Sequence, residues 1–352
     1  MPSIILNPAN NAIVAGNLCS FSGMTGGGGT TPNERFSPLA ITNNEDTLVF
    51  GALTDQDTGV TVYSIFSLNG STLAVNTNLL TIGVSDPYLP KFSPDGSLLV
   101  VNPQQIIAKG QTGLYDRLVT FDQPLEPNYD LAISQDSEYI IAAVNLGLVQ
   151  IYKRSVSNNY SKLTEITDAN YFTGLKFSPD STKLSFMPTM GAFRVYTFVN
   201  GEFGFIADYP IASDPSYPNK AFSSPQWVND SLMAFSYMWY ETGNVPFKGF
   251  LDIINVTNES VTLNKRDDAI GARYYGFFGF ENGRSFTYSN GNGYSMIKIN
   301  GIGVSYDVDY NDLQTSDLLL IPYTAEFIIP SMIRNKVERY TIAPNGTYTK
   351  IW

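Results

Sequence analysis

Histidine is absent from the 352 residues, and cysteine occurs once, at Cys19. Without histidine there is no Ser-His-Asp or Cys-His nucleophile pair, no His-ligated zinc, iron or copper, and no imidazole base. A single cysteine allows no internal disulfide, so the fold stands on its core. Lacking a histidine to activate it, Cys19 reads as a small apolar residue. Basic charge is also scarce. Lys and Arg number 21 against 32 Asp and Glu, a net charge of −11, and the densest basic stretch, "NKRDD" at 264–268, ends in two aspartates. Such a surface repels nucleic-acid phosphates and anionic membranes, so no nucleic-acid partner is expected. Long hydrophobic runs are missing. No segment approaches the ~18–20 apolar residues of a membrane span. The opening "MPSIILNPANNAIVAG" has neither the basic nor the apolar region of a signal peptide. The expectation is a soluble chain without membrane insertion, cytoplasmic unless carried on a particle. Helix formers are sparse, and no stretch has a helical apolar period.

What is present favours strands. Hydrophobic residues make up 43% and aromatics 13%, mostly Tyr and Phe. "KFSPDGSLLVV" (91–101) is followed by "AISQDSEYIIAA" (132–143), "KFSPDSTKLSF" (176–186) and "QWVNDSLMAFS" (226–236). An earlier copy is "AITNNEDTLVFG" (40–51), and later ones are "GFENGRSFTYS" (279–289) and "LLIPYTAEFIIPS" (319–331). Each is a short apolar strand, a polar turn and a second apolar strand. In the turn, Pro presets φ, Asp bonds its own backbone, and Gly or Ser accepts the tight exit. A second hairpin follows each first one. In four units it carries Asn-Gly, the strongest two-residue hairpin signal: Asn69-Gly70, Asn200-Gly201, Asn300-Gly301 and Asn345-Gly346.

Seven copies about 40–50 residues apart, each of four antiparallel strands, define an all-β, seven-bladed β-propeller. The "FSPDG" units resemble those of WD-repeat-like propellers, particularly the Tol-type and lactonase-type groups, over residues 39–352. The Gly-His and Trp-Asp dipeptides of true WD repeats are missing, so their hydrogen-bond network is not expected. Residues 1–38 are read as an extension: an arm with two short apolar runs, Ile4–Leu6 and Ala12–Ala15, and the Gly-rich linker "TGGGGTT" (25–31). That linker lacks the Lys-Ser/Thr of a phosphate-binding loop. The arm either locks the ring as an added strand or docks elsewhere, with oligomerisation through it a further option.

Several stretches could carry chemistry. "LTDQDTGV" (53–60) places Asp55 and Asp57 as in a Ca²⁺ loop, but the bidentate Glu is replaced by Phe66. Ca²⁺ is the one cofactor these residues raise. "SYDVDYND" (305–312) puts Asp307 and Asp309 on one strand face by period two. "SYMWYETGNVPFKGF" (236–250) offers Trp239, Tyr240, Glu241 and Asn244, aromatics with an amide and a carboxylate that suit a glycan or protein ligand. The connection at 208–224 brings Tyr217 to the same rim of blade 5. The turn in "KFSPDGSLLV" reads as a corner and not as a site.

The expected function is a non-catalytic binding or structural propeller. Its acidic, Asn/Thr/Gly-rich composition is similar to that of bacteriophage virion proteins, which implies a tail, fibre or capsid-surface component contacting virion or host-surface proteins or glycan. The alternative, implied by the lactonase-type resemblance, is a metal-dependent hydrolase using channel carboxylates.

Overall fold

The structure, a computed structural model, describes residues 34–43, 47–55, 60–69, 72–78, 90–102, 104–122, 128–144, 148–156, 159–167, 173–189, 192–210, 219–222, 225–240, 248–267, 274–277, 284–289, 293–300, 303–310, 319–321, 326–330, 337–342 and 348–351. Blade 1 comprises β1 (Glu34–Asn43), β2 (Thr47–Asp55), β3 (Thr61–Asn69) and β4 (Thr72–Asn78). Blade 2 comprises β5 (Lys91–Phe92), β6 (Leu98–Asn102), β7 (Gln105–Lys109) and β8 (Tyr115–Leu118), after which comes β9 (Thr120–Phe121). Blade 3 is β10 (Asn128–Ile133), β11 (Tyr139–Val144), β12 (Leu148–Val156) and β13 (Asn159–Thr167). Blade 4 is β14 (Thr173–Phe177), β15 (Lys183–Thr189), β16 (Ala192–Val199) and β17 (Glu202–Pro210). Blade 5 is β18 (Asn219–Phe222), β19 (Gln226–Trp227), β20 (Leu232–Tyr240), β21 (Lys248–Val256) and β22 (Val261–Asp267). Blade 6 is β23 (Tyr274–Phe277), β24 (Arg284–Ser289), β25 (Gly293–Asn300) and β26 (Gly303–Tyr310). Blade 7 is β27 (Leu319–Ile321), β28 (Glu326–Pro330), β29 (Val337–Ile342) and β30 (Tyr348–Lys350).

Among the described residues these strands form seven sheets, each built on an antiparallel meander, and no helix. The chain is a β-propeller. β1 touches β5 and β27, and β10 touches β14, so first strands are innermost and blade 7 lies beside blade 1. β1 opens at Glu34, within the stretch read as the arm; residues 1–33 lie outside the described residues.

The second strands β6 and β11 are nearly continuous apolar runs because both faces of their blades are covered. In blade 3, Ile140 and Ala142 pack toward blade 2, while Ile141 and Ala143 pack toward blade 4. All five residues of β6 are buried. At ~25 cal/mol per Å² of apolar surface, these inter-blade layers are the main stabilising term.

The SPDG turns join the blades as well as ending strands. Gly96 has φ 68°, and Ser137 and Ser181 occupy the same slot at φ 54° and 57°. The Asp95 carboxylate accepts from Ser93 Oγ (2.6 Å) and Ser97 N (2.9 Å), and from Ser137 Oγ of the next blade (2.6 Å). Further round, Gln135 N donates to Ser181 Oγ (2.7 Å) and Asp180 N to Asp230 (2.8 Å). Tyr115 and Tyr160, from the fourth strands, donate their hydroxyls to the Gly96 and Ser137 carbonyls. Within blade 5, Arg266 forms a bidentate pair with the fully buried Asp252 (2.7 and 2.8 Å), and the Tyr209 hydroxyl of blade 4 donates to the same carboxylate (2.9 Å). That pairing raises the Arg266 pKa and satisfies a charge that would otherwise be costly to bury.

Two expectations change. Asn-Gly forms the two central residues of its loop in blade 4, where Val199 pairs with Glu202 and both turn residues have positive φ. In blades 1 and 6 pairing runs one residue further, Asn69 with Thr72 and Asn300 with Gly303, so the Asn belongs to the strand. The second change concerns the outer strands. Blades 1 to 6 each carry one extra residue there, at Asn76, Asp116, Leu163, Ile206, Asn264 and Asp307. A bulge breaks period two, so the alternation that would put Asp307 and Asp309 on one face is interrupted. It also bends the exposed edge away from pairing with another chain. In blade 3, β9 adds in parallel to β13 and covers that edge.

Candidate functional site

A cavity of about 270 Å³ opens at the end of the innermost strands, beside the SPDG turns of blades 2 to 5. Its walls follow the repeat. The residue two before each turn's serine or its counterpart is Lys91, Ala132, Lys176 and Gln226 in successive blades, and all four line the cavity. The next residue is large and apolar, and Phe177 and Trp227 border the space.

Local irregularities aim these groups. β10 carries an extra residue between Asn128 and Asp130, and β14 carries one between Thr173 and Lys176. Gly174, at φ 69°, takes the left-handed turn that the second bulge needs. There the Leu175 amide leaves the ladder and donates to Asp130 Oδ2 (2.8 Å), while the Leu131 amide donates to Oδ1 (2.8 Å). Asp130 is thus fixed by two backbone donors and a cation. Lys91 lies 3.5 Å from its carboxylate and also donates to the Leu131 carbonyl.

Lys176 is placed differently. Its carbonyl accepts from Trp227 Nε1 (3.2 Å), which holds the backbone of β14 against blade 5. Its ammonium belongs to no ion pair among the described residues, although the side chain is half-buried. Burial pulls the amine down from 10.5 to about 8; the nearby Lys91 charge acts in the same direction and Asp130 opposes it. A lysine so placed is partly neutral near physiological pH and able to accept a proton.

The residues expected from sequence are described only in part. Trp239 sits in β20 opposite Lys220 and Lys248, and Tyr240 opposite Asn219. Glu241, Asn244 and Tyr217 lie outside the described residues, as does Asp57; Asp55 ends β2 opposite Glu34. Tyr237 is buried and stacks on Phe250. Sequence reasoning missed Lys91, Asp130 and Lys176. The signal available was a charged residue recurring in one slot of an inner strand. No group of three or more Asp, Glu, Cys or His side chains gathers among the described residues. No helix is long and apolar enough to cross a membrane.

No family model matches the sequence, and no curated protein matches it. Solved structures do. An oligogalacturonate lyase in complex with manganese superposes with a TM-score of 0.59 at 10% identity, over 90% of this chain and 92% of its own. A second oligogalacturonate lyase, from Vibrio parahaemolyticus, gives 0.55 at 8% identity, over 90% and 100%. The Swd1 β-propeller domain from Myceliophteria thermophila gives 0.50 at 10%, over 75% and 85%. These likenesses establish the fold. They also overturn the expectation that the chain is not an enzyme: propellers of this shape include lyases, so the fold gives no ground for setting catalysis aside. A virion origin draws no support from them and rests on composition alone.

Proposed function

We propose that the cavity binds a small carboxylated substrate, a sugar acid, and that the chain catalyses an elimination on it. The observation that carries this reading is the Lys91–Lys176 arrangement, in which one ammonium is fixed by Asp130 and the other has no counter-ion among the described residues. An ammonium has three donors. Lys91 uses one on Leu131 and directs one at Asp130, which leaves a third for a substrate carboxylate. The neutral Lys176 amine takes the proton on the carbon next to that carboxylate. The electron pair of the broken C–H bond forms the new C=C bond, the bond to the oxygen substituent on the following carbon breaks, and that oxygen takes a proton from a water, which regains one from the Lys176 ammonium and restores the amine. Lys91 stabilises the negative charge that builds on the carboxylate. Phe177 and Trp227 supply apolar surface for a ring face. The similar lyases act on oligogalacturonate, a sugar acid of this kind. Two lysines, an alanine and a glutamine do not fit manganese, which prefers carboxylate, carbonyl and water oxygens, so no step passes through a metal.

The test is elimination activity of the full chain on oligogalacturonate, followed by the ultraviolet absorbance of the unsaturated product. The rate should rise with pH through about 8 as Lys176 loses its proton. Lys176→Met should lower kcat by on the order of 10²-fold or more. Lys91→Gln should act mainly on KM. No product and no calorimetric binding of galacturonate by the wild-type chain would sink the proposal.

A further inference from the structure

The four cavity slots are unequal. Lys91, Lys176 and Gln226 carry long polar side chains, and Ala132, between the two lysines in blade order, carries a methyl. Blades 2 and 4 show that the slot accommodates a four-carbon stem. In blade 3 that volume is left open to the cavity, above Ala132, which is itself buried against Ile141 and Leu175. On one side Lys91 reaches over blade 3 to the Leu131 carbonyl and Asp130. On the other side Lys176 follows Leu175, whose amide is bound to that same Asp130. The open slot is therefore flanked by the Lys91 ammonium and the Lys176 amine, and the Asp130 carboxylate beside them is already paired.

We infer that Ala132 is the specificity-determining residue of the cavity, and that the acid group of the ligand sits over its methyl between Lys91 and Lys176. This rests on the proposal above that the cavity receives a carboxylate. A side chain in the Ala132 slot removes the space in which an acid group can lie against the Lys91 ammonium with the Lys176 amine on its other side. The methyl adds a second constraint: it offers no hydrogen bond, so a neutral hydroxyl placed there loses its water without replacement.

Binding of D-galacturonate, with D-galactose as the uncharged control, measured by isothermal titration calorimetry on the full chain, tests this. Ala132→Met puts an unbranched chain in the slot without adding charge. It should weaken galacturonate binding at least tenfold, whereas Ala132→Ser should keep it within a few-fold. If Ala132→Met lowers the melting temperature severely, Ala132→Thr takes its place and should still weaken binding. A folded Ala132→Met chain that binds galacturonate as wild type does, while Lys91→Gln and Lys176→Met fail to bind, overturns the role of Ala132 alone. Wild-type affinity in all of these variants overturns the carboxylate site itself.

Discussion

Blades 2 and 4 contain the same five residues, "KFSPD", at 91–95 and 176–180, and their lysines occupy the same slot beside the cavity. Their surroundings differ. Lys91 meets Asp130, two residues before the matching slot of blade 3. The corresponding position ahead of blade 5 is Ser224, and Lys176 has no carboxylate within ion-pair distance among the described residues. The repeat sets where a lysine stands, and the neighbouring blade sets whether it meets a carboxylate. Duplication of a structural unit thus yields one lysine paired with a carboxylate and one, from the same residues, that belongs to no ion pair among the described residues and whose amine burial pulls down to about 8.

The most direct way to break this comparison is to remove each charge in turn. Lys91→Met leaves Asp130 with two amide donors and no cation, which should cost about 1–2 kcal/mol. Lys176→Met should do the reverse. The folded amine titrates near 8 and the unfolded one near 10.5, so the wild-type chain carries the full penalty of a buried ammonium below pH 8 and is relieved of it as pH rises to 10.5. Lys176→Met should therefore stabilise the protein at pH 7, by on the order of 1–3 kcal/mol, with the gain vanishing toward pH 10.5. Urea unfolding at pH 7 and pH 10 checks both. Destabilisation by Lys176→Met at pH 7 would mean that the lysine is held by something, and the contrast with Lys91 would fail.

A smaller change sharpens the comparison. Asp130 raises the Lys176 pKa, against burial and Lys91, which lower it. Asp130→Asn should move the midpoint of the activity–pH curve below 8, toward acid. A midpoint that stays in place or moves toward alkali would show that Asp130 and Lys176 do not sense each other.

Much of the fold was legible because its determinants are local. Pro-Asp-Gly corners and the central pair Asn200-Gly201 specify backbone angles by themselves, and their spacing gives the blades. Bulges are not local: whether Asp307 pairs or is skipped depends on the register of β26 against β25, and no residue type announces it. The cavity was hidden for a related reason. "KFSPDG" was read for its turn, while the lysine ahead of it acquires meaning only from Asp130, 39 positions along the chain and one blade away. Aromatic content drew attention to Trp239 and Tyr240, which the register of β20 sets opposite Lys220, Lys248 and Asn219, pairings that the sequence does not announce.

The smallest expected effect concerns the turn slot itself, where Gly96 and Ser137 take the same left-handed backbone with different residues. A serine there carries a strain of about 1 kcal/mol relative to glycine. Ser137 also donates to Asp95 across the blade boundary, a charge-assisted bond worth about 1–2 kcal/mol. That bond helps hold the Asp95 carboxyl below its usual range, against burial, which raises it. Ser137→Gly removes strain and bond together, so its net effect should lie between zero and about 1 kcal/mol of destabilisation. Ser137→Ala keeps the strain and loses the bond, and should destabilise by about 1 kcal/mol or more. Neither should alter galacturonate binding, since Ser137 does not border the cavity. Equal stabilities for the two variants in urea unfolding would mean that the left-handed backbone carries no strain at this corner, since both lack the bond to Asp95, whereas a Ser137→Ala chain as stable as wild type would mean that the inter-blade bond contributes nothing.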